Sequence, residues 1–131
     1  MRKDIEIPVV EGVYVAVVSE FNDVYKTQDW NAYIINDKEV PIDMVLIIST
    51  GYDDQKITST MRHKLEVLPP KSYGKIELMQ EDVLTLTNNF LVTFFEGYKM
   101  FEKTYSFPKN SINQKALQSV PLMDVKGVLV K

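Results

Sequence analysis

The chain has 131 residues, 45% of them hydrophobic and 25% charged, the proportions of one globular domain with room for a single core. It contains no cysteine, which excludes a disulfide framework. With 15 basic against 18 acidic side chains and a net charge of −3, it lacks the basic excess needed to track a phosphate backbone, so no nucleic-acid partner is expected.

The N-terminal stretch Met1-Arg2-Lys3-Asp4-Ile5-Glu6 is charged, and no long apolar run follows it, unlike a secretory signal. The longest nearly apolar stretches, Val13–Val18 and Met44–Ile48, are far shorter than the ~20 residues that span a bilayer. A cytoplasmic protein without a membrane partner is expected.

From there the pattern alternates with period two, and no segment keeps a helical period for three turns. The alternation predicts strands at Asp4–Val9, Val13–Phe21, Trp30–Asn36, Asp43–Thr50, Ile57–Val67, Lys75–Met79, Phe90–Glu96, Tyr98–Phe107 and Leu122–Val130. Turn-forming residues separate them at Glu11-Gly12, Asn22-Asp23, Asp37-Lys38, Gly51–Asp54 and Pro69-Pro70. Gln80–Thr87 reads as a short helical turn led by Glu81 and Asp82, and Pro108–Ala116 as the longest loop. Two hairpins are expected, one around Gly51–Lys56 and one around Glu96-Gly97, where Gly97 supplies a positive φ.

Many short strands at this spacing predict an all-β fold, a two-layer antiparallel β-sandwich of immunoglobulin-like form with about seven to nine strands. A small closed β-barrel is the alternative. In the strand from Ile57 the apolar residues Ile57, Met61, Leu65 and Val67 share one parity, so they should face the core. Val13–Val18 and Val45–Ile48 are apolar on both parities, so their second face needs a partner surface or a covering loop.

No residue cluster spells out a reaction, so no catalytic residue, metal or cofactor is assigned. His63, the only histidine, has no second histidine or cysteine to share a zinc ion with; it reads as a core residue first and a ligand-binding residue second. Ser49 has no evident base, and Ser59 lies about 13 Å along an extended strand from His63, too far for a nucleophile and its base. Arg62 has a planar fork suited to a carboxylate or phosphate, against the plainer reading of a cross-strand ion pair. Lys103 is in phase with Phe101, Tyr105 and Phe107, so its amine either rests on a ring or reaches past it to water. Trp30 should plug the core, whereas Tyr52 and Tyr73 sit in turns and should be exposed for binding. The acids Asp53 and Asp54, or Asp37, Glu39 and Asp43, lack the spacing of a calcium loop.

Three stretches, Asp29–Asn36, Met44–Ile48 running into Ser49-Thr50-Gly51-Tyr52, and Thr58–His63, together resemble a group of small bacterial proteins of unknown function. Some of these carry a phenylalanyl-tRNA synthetase α-subunit label. The resemblance implies no synthetase residue here, because that core needs ATP-gripping arginines and a far longer chain, and only Arg2 and Arg62 are present. The expected function is therefore a non-catalytic binding or interaction module, self-associating as a homodimer or meeting another protein. The alternative is a barrel enclosing a small apolar or anionic ligand between Arg62 and Lys103.

Overall fold

The computed structural model describes residues 8–131. Its strands are β1 (Val13–Asn22), β2 (Thr27–Asn36), β3 (Ile42–Tyr52), β4 (Met61–Leu68), β5 (Ser72–Met79), β6 (Thr87–Glu96), β7 (Lys99–Phe107), β8 (Gln118–Ser119) and β9 (Lys126–Val130). One helical turn, α1 (Glu81–Leu84), lies between β5 and β6, where the acidic pair led the sequence to predict one. The strand expected at Asp4–Val9 falls largely outside the described residues.

Local chemistry makes each reversal. At the β1–β2 turn the Asn22 side chain accepts hydrogen bonds from the backbone of Val24 and Tyr25, a short side-chain mimic of a backbone turn. At the β6–β7 turn Gly97 takes φ +62°, as expected of a glycine in a tight hairpin.

The strands form two open antiparallel sheets, one of five in the order β5-β2-β1-β9-β8 and one of four in the order β4-β3-β6-β7. The described strands do not close into a barrel. The first seven strands follow the immunoglobulin-like arrangement, with β1, β2 and β5 on one layer and β4, β3, β6 and β7 on the other. The β8–β9 hairpin extends the five-stranded layer beyond β1.

Between the layers lie Val13, Val15 and Val17 of β1, Ala32 and Ile34 of β2, Val45 and Ile47 of β3, and Phe90, Val92 and Phe94 of β6, all buried. Burying each of the larger side chains contributes roughly 1.5–3 kcal/mol. Phe90 and Phe107 meet edge to face with centroids 5.7 Å apart, and the buried Tyr105 hydroxyl donates across the layers to the Val13 carbonyl. Burial pushes the Tyr105 phenol well above its ordinary pKa.

Two crossings between the layers converge on one side chain. Asn36 is fully buried at the end of β2. Its amide nitrogen reaches the carbonyls of Val40 (3.0 Å), Leu68 (3.1 Å) and Pro69 (3.0 Å), and its oxygen accepts from the Lys38 backbone at 3.1 Å. The β2–β3 and β4–β5 connections are thus fastened to the same carboxamide, which supplies partners to backbone groups that have wholly or partly left water.

Several expectations change in detail. Trp30 is half-buried and packs at the margin of the core rather than plugging it; Tyr105, Phe90, Phe94 and Phe107 fill the centre. β4 begins only at Met61, and Ile57 makes a single bridge to Tyr52. Met61 and Val67 of the edge strand β4 are exposed, as is Ile57 ahead of it, and only Leu65 of that apolar set packs against the core. β9 starts at Lys126, because Leu122 turns the chain with φ 70°.

Replacing Asn36 with Ala removes the donor shared by the Leu68, Val40 and Pro69 carbonyls, the first bond buried and the other two part-buried, and should cost about 1–3 kcal/mol. A urea titration that gave less than about 1 kcal/mol would show that water or repacking serves these groups equally well.

Candidate functional site

A two-layer sandwich covers one face of each sheet, and here the two outer faces are treated differently. On the five-stranded sheet Ala16, Val18 and Ile35 point outward yet are buried, because the β8–β9 connection folds Val120, Met123 and Val125 over them. Self-covering therefore accounts for the doubly apolar run Val13–Val18.

No such cover lies on the four-stranded sheet among the described residues. Its outward positions follow from the pairing registers. Leu46 stands opposite Lys64 on β4 and Thr93 on β6, and Thr93 stands opposite Glu102 on β7. The next row is Arg62, Ile48, Leu91 and Thr104. Met44, Leu46 and Met100 are 54%, 38% and 52% exposed, while Ile48, Leu91 and Phe95 are half-buried. The result is an apolar strip along β3 and β6 with charged side chains on the flanking strands.

Met44 sits where the β3–β6 register shifts between Asp43 and Leu46, and its backbone is left-handed at φ 51°. A non-glycine residue held there costs on the order of 1–3 kcal/mol. The bulge turns its side chain out onto the strip.

A second feature opens where the edge strands β4 and β5 part. A groove of about 440 Å³ is lined by Ser49, Lys56, Thr58, Glu77, Asn88 and Phe90, among others, a volume within the range of small-molecule sites. In its wall, Glu77 Oε1 accepts from the Ser49 hydroxyl at 2.7 Å and lies 2.8 Å from His63 Nε2. Glu77 reaches the inter-sheet space through a β-bulge. The β2–β5 register shifts between Ala32 and Tyr33, leaving Ile76 unpaired and setting Glu77 opposite the buried Ala32. The order of these contacts differs from a Ser–His–acid relay, in which imidazole stands between hydroxyl and carboxylate; here the carboxylate stands between the other two.

The residues singled out in sequence lie apart. Arg62 is exposed on the outer face of β4 and His63 points the other way, into the layer gap. Lys103 is on the opposite edge strand, its amine 5.1 Å from the centroid of the Tyr105 ring. Arg62 and Lys103 thus occupy opposite edges of one sheet and share no cavity. Tyr52 ends β3, 39% exposed beside the β3–β4 loop.

Tyr73 lies on the outer face of the five-stranded sheet, edge-on to Tyr33 at 5.7 Å. The Tyr33 hydroxyl donates to Glu20 at 2.8 Å; burial first, then this carboxylate, push its pKa up to about 12. The turn acids Asp37 and Glu39 both reach Lys71, at 3.1 and 3.4 Å. Among the described residues no group of three or more His, Cys, Asp or Glu could hold a metal ion, and no helix is long and apolar enough to cross a membrane.

Sequence reasoning missed Glu77, because strand parity places it with the exposed Lys75 and only the bulge reverses it. The uncovered face, in contrast, was signalled by the apolar run Val45–Ile48. No protein-family model matches the chain, and no curated protein matches it.

Glu77→Ala leaves the nearly buried Ser49 hydroxyl without its acceptor and should destabilise the domain by about 1–3 kcal/mol. Glu77→Gln keeps an acceptor and should cost less. Equal losses in the two variants, measured by urea unfolding, would mean that packing rather than hydrogen bonding sets the role of Glu77.

Proposed function

We propose that this domain is a non-catalytic interaction module of a cytoplasmic protein, and that the outer face of β4-β3-β6-β7 is its working surface. One observation carries the reading. The chain covers the outer face of its other sheet with its own residues, and among the described residues nothing covers Met44, Leu46, Ile48, Leu91, Phe95 and Met100 on this one. Contiguous apolar surface bordered by polar residues is the usual mark of a protein-binding patch, and removing it from water contributes roughly 25 cal/mol per Å². Nothing in the fold needs Met44 or Leu46 exposed, since their neighbours Val45 and Ile47 already serve the core.

A photo-crosslinking residue at position 46 should capture a protein chain in the native cell, while the same residue at exposed Lys109 should not. Capture at both positions alike, or at neither, would remove the face as the binding surface.

A second reading rests on the inter-sheet groove, whose hydroxyls and amides suit a small polar ligand. A thermal-shift screen of sugars, nucleotides and organic anions tests it: a true ligand at about 100 times its dissociation constant adds about 2.7 kcal/mol. That gain should vanish in Ser49→Val. A screen with no stabilising compound would discard the groove as a site.

A further inference from the structure

We infer that the partner of this face is a second copy of the same chain, docked about a two-fold axis that lies along the strands between β3 and β6. The inference rests on the interaction-module reading and adds the identity of the partner.

The evidence is the order of side chains across the sheet. One row reads Lys64, Leu46, Thr93, Glu102 from β4 to β7, with a cation at one rim, an anion at the other and the less polar pair between them. A two-fold along the strands reverses left and right but preserves height. It therefore sets Lys64 against Glu102 of the partner subunit, and Glu102 against the partner's Lys64, in one operation. Leu46 meets Thr93 of the partner subunit, and in the next row Ile48 meets the partner's Leu91. Such self-complementarity is what a two-fold interface demands.

The other face-to-face two-fold, across the strands, puts β4 against β4. On β4 the outward Lys64 could still meet Glu66, but β7 would lie against β7, where Glu102 has no outward cation on its own strand to meet, so charge favours the first axis.

Dimensions agree. Sheets packed face to face lie about 10 Å apart, a gap that lysine and glutamate side chains span together. The usual crossing of about 30° between aligned sheets offsets the rims by only about one residue, within the reach of these side chains. Four strands at about 4.8 Å spacing, ten residues long, present roughly 600 Å² per copy. The total of about 1,200 Å² is at the lower end for specific interfaces, so the dimer is reversible and concentration-dependent. The edges offer no easier route, since exposed charged residues stud β4 (Arg62, Lys64, Glu66) and β7 (Lys99, Glu102), a pattern that discourages strand addition.

Sedimentation equilibrium on the full chain tests this with two charge reversals. Wild type should dimerise reversibly, and Lys64→Glu and Glu102→Lys should each weaken it by about tenfold or more. Mixing the two variants should restore wild-type affinity, because every rim pair is again opposite in charge, and the Lys64→Glu/Glu102→Lys double variant should do the same. A mixture no tighter than either variant alone would overturn the inference, as would a wild-type chain that stays monomeric at millimolar concentration. In the monomeric case, crosslinking from position 46 separates the two ideas: capture of a different protein leaves the face as a binding surface and removes only the second copy, and no capture removes both.

Discussion

Two sheets stacked face to face bury one surface each, and the fate of the two remaining surfaces decides what this domain is. On the five-stranded sheet the chain itself supplies the answer. β8 and β9 extend the layer past β1, and the segment between them lays Val120, Met123 and Val125 against Ala16, Val18 and Ile35. That choice consumes the C-terminal segment, and the described chain holds nothing equivalent for the four-stranded sheet. An apolar strip along β3 and β6 is the consequence, and association is the physical remedy open to it.

The same economy governs the polar groups inside. Each one ties together parts of the chain that hydrophobic contact alone would leave free to slide. Asn36 fastens two of the connections that cross between layers, Tyr105 pins β7 to the start of β1, and Glu77 draws β5 towards Ser49 and His63 on the other sheet. Hydrophobic burial is non-directional, so these hydrogen bonds set register where greasy contact sets only proximity. Glu77, Ser49 and His63 have the residue types of a hydrolytic centre but the connectivity of a brace. The hydroxyl is spent on the carboxylate, which leaves the imidazole no proton to take from it.

Much of this was legible in the sequence, and what escaped did so for definite reasons. Period-two alternation located eight of the nine strands, and Gly97 marked its hairpin, because both signals are local. The doubly apolar run at Val13–Val18 was readable as needing cover, but whether loop or partner supplied it depended on Val120–Val125, more than a hundred positions further along. Parity failed at Glu77 because one unpaired residue, Ile76, switches every later side chain to the other face. It failed again at Met61 and Val67, since alternation reports the side of a sheet and is blind to whether a side chain there is covered. Arg62 and Lys103 were paired in expectation through a barrel; open sheets separate them, and Arg62 instead borders the uncovered strip.

Edges and faces of the four-stranded sheet carry opposite messages. Its two edge strands hold outward charges in both signs, Arg62, Lys64 and Glu66 on β4 and Glu102 on β7, which resist continuation of the sheet by a foreign strand. Its centre carries Leu46, Ile48 and Leu91, which resist water. On the interaction-module reading, a sheet closed at its margins and open on its face would take a partner from one direction, with the rim charges setting how that partner is turned. The left-handed backbone at Met44 fits this account. The bulge that strains it swings a flexible, polarisable side chain onto the strip, a residue type that adapts to the surface it meets, and the strain is tolerated because the flanking Val45 and Ile47 remain locked in the core.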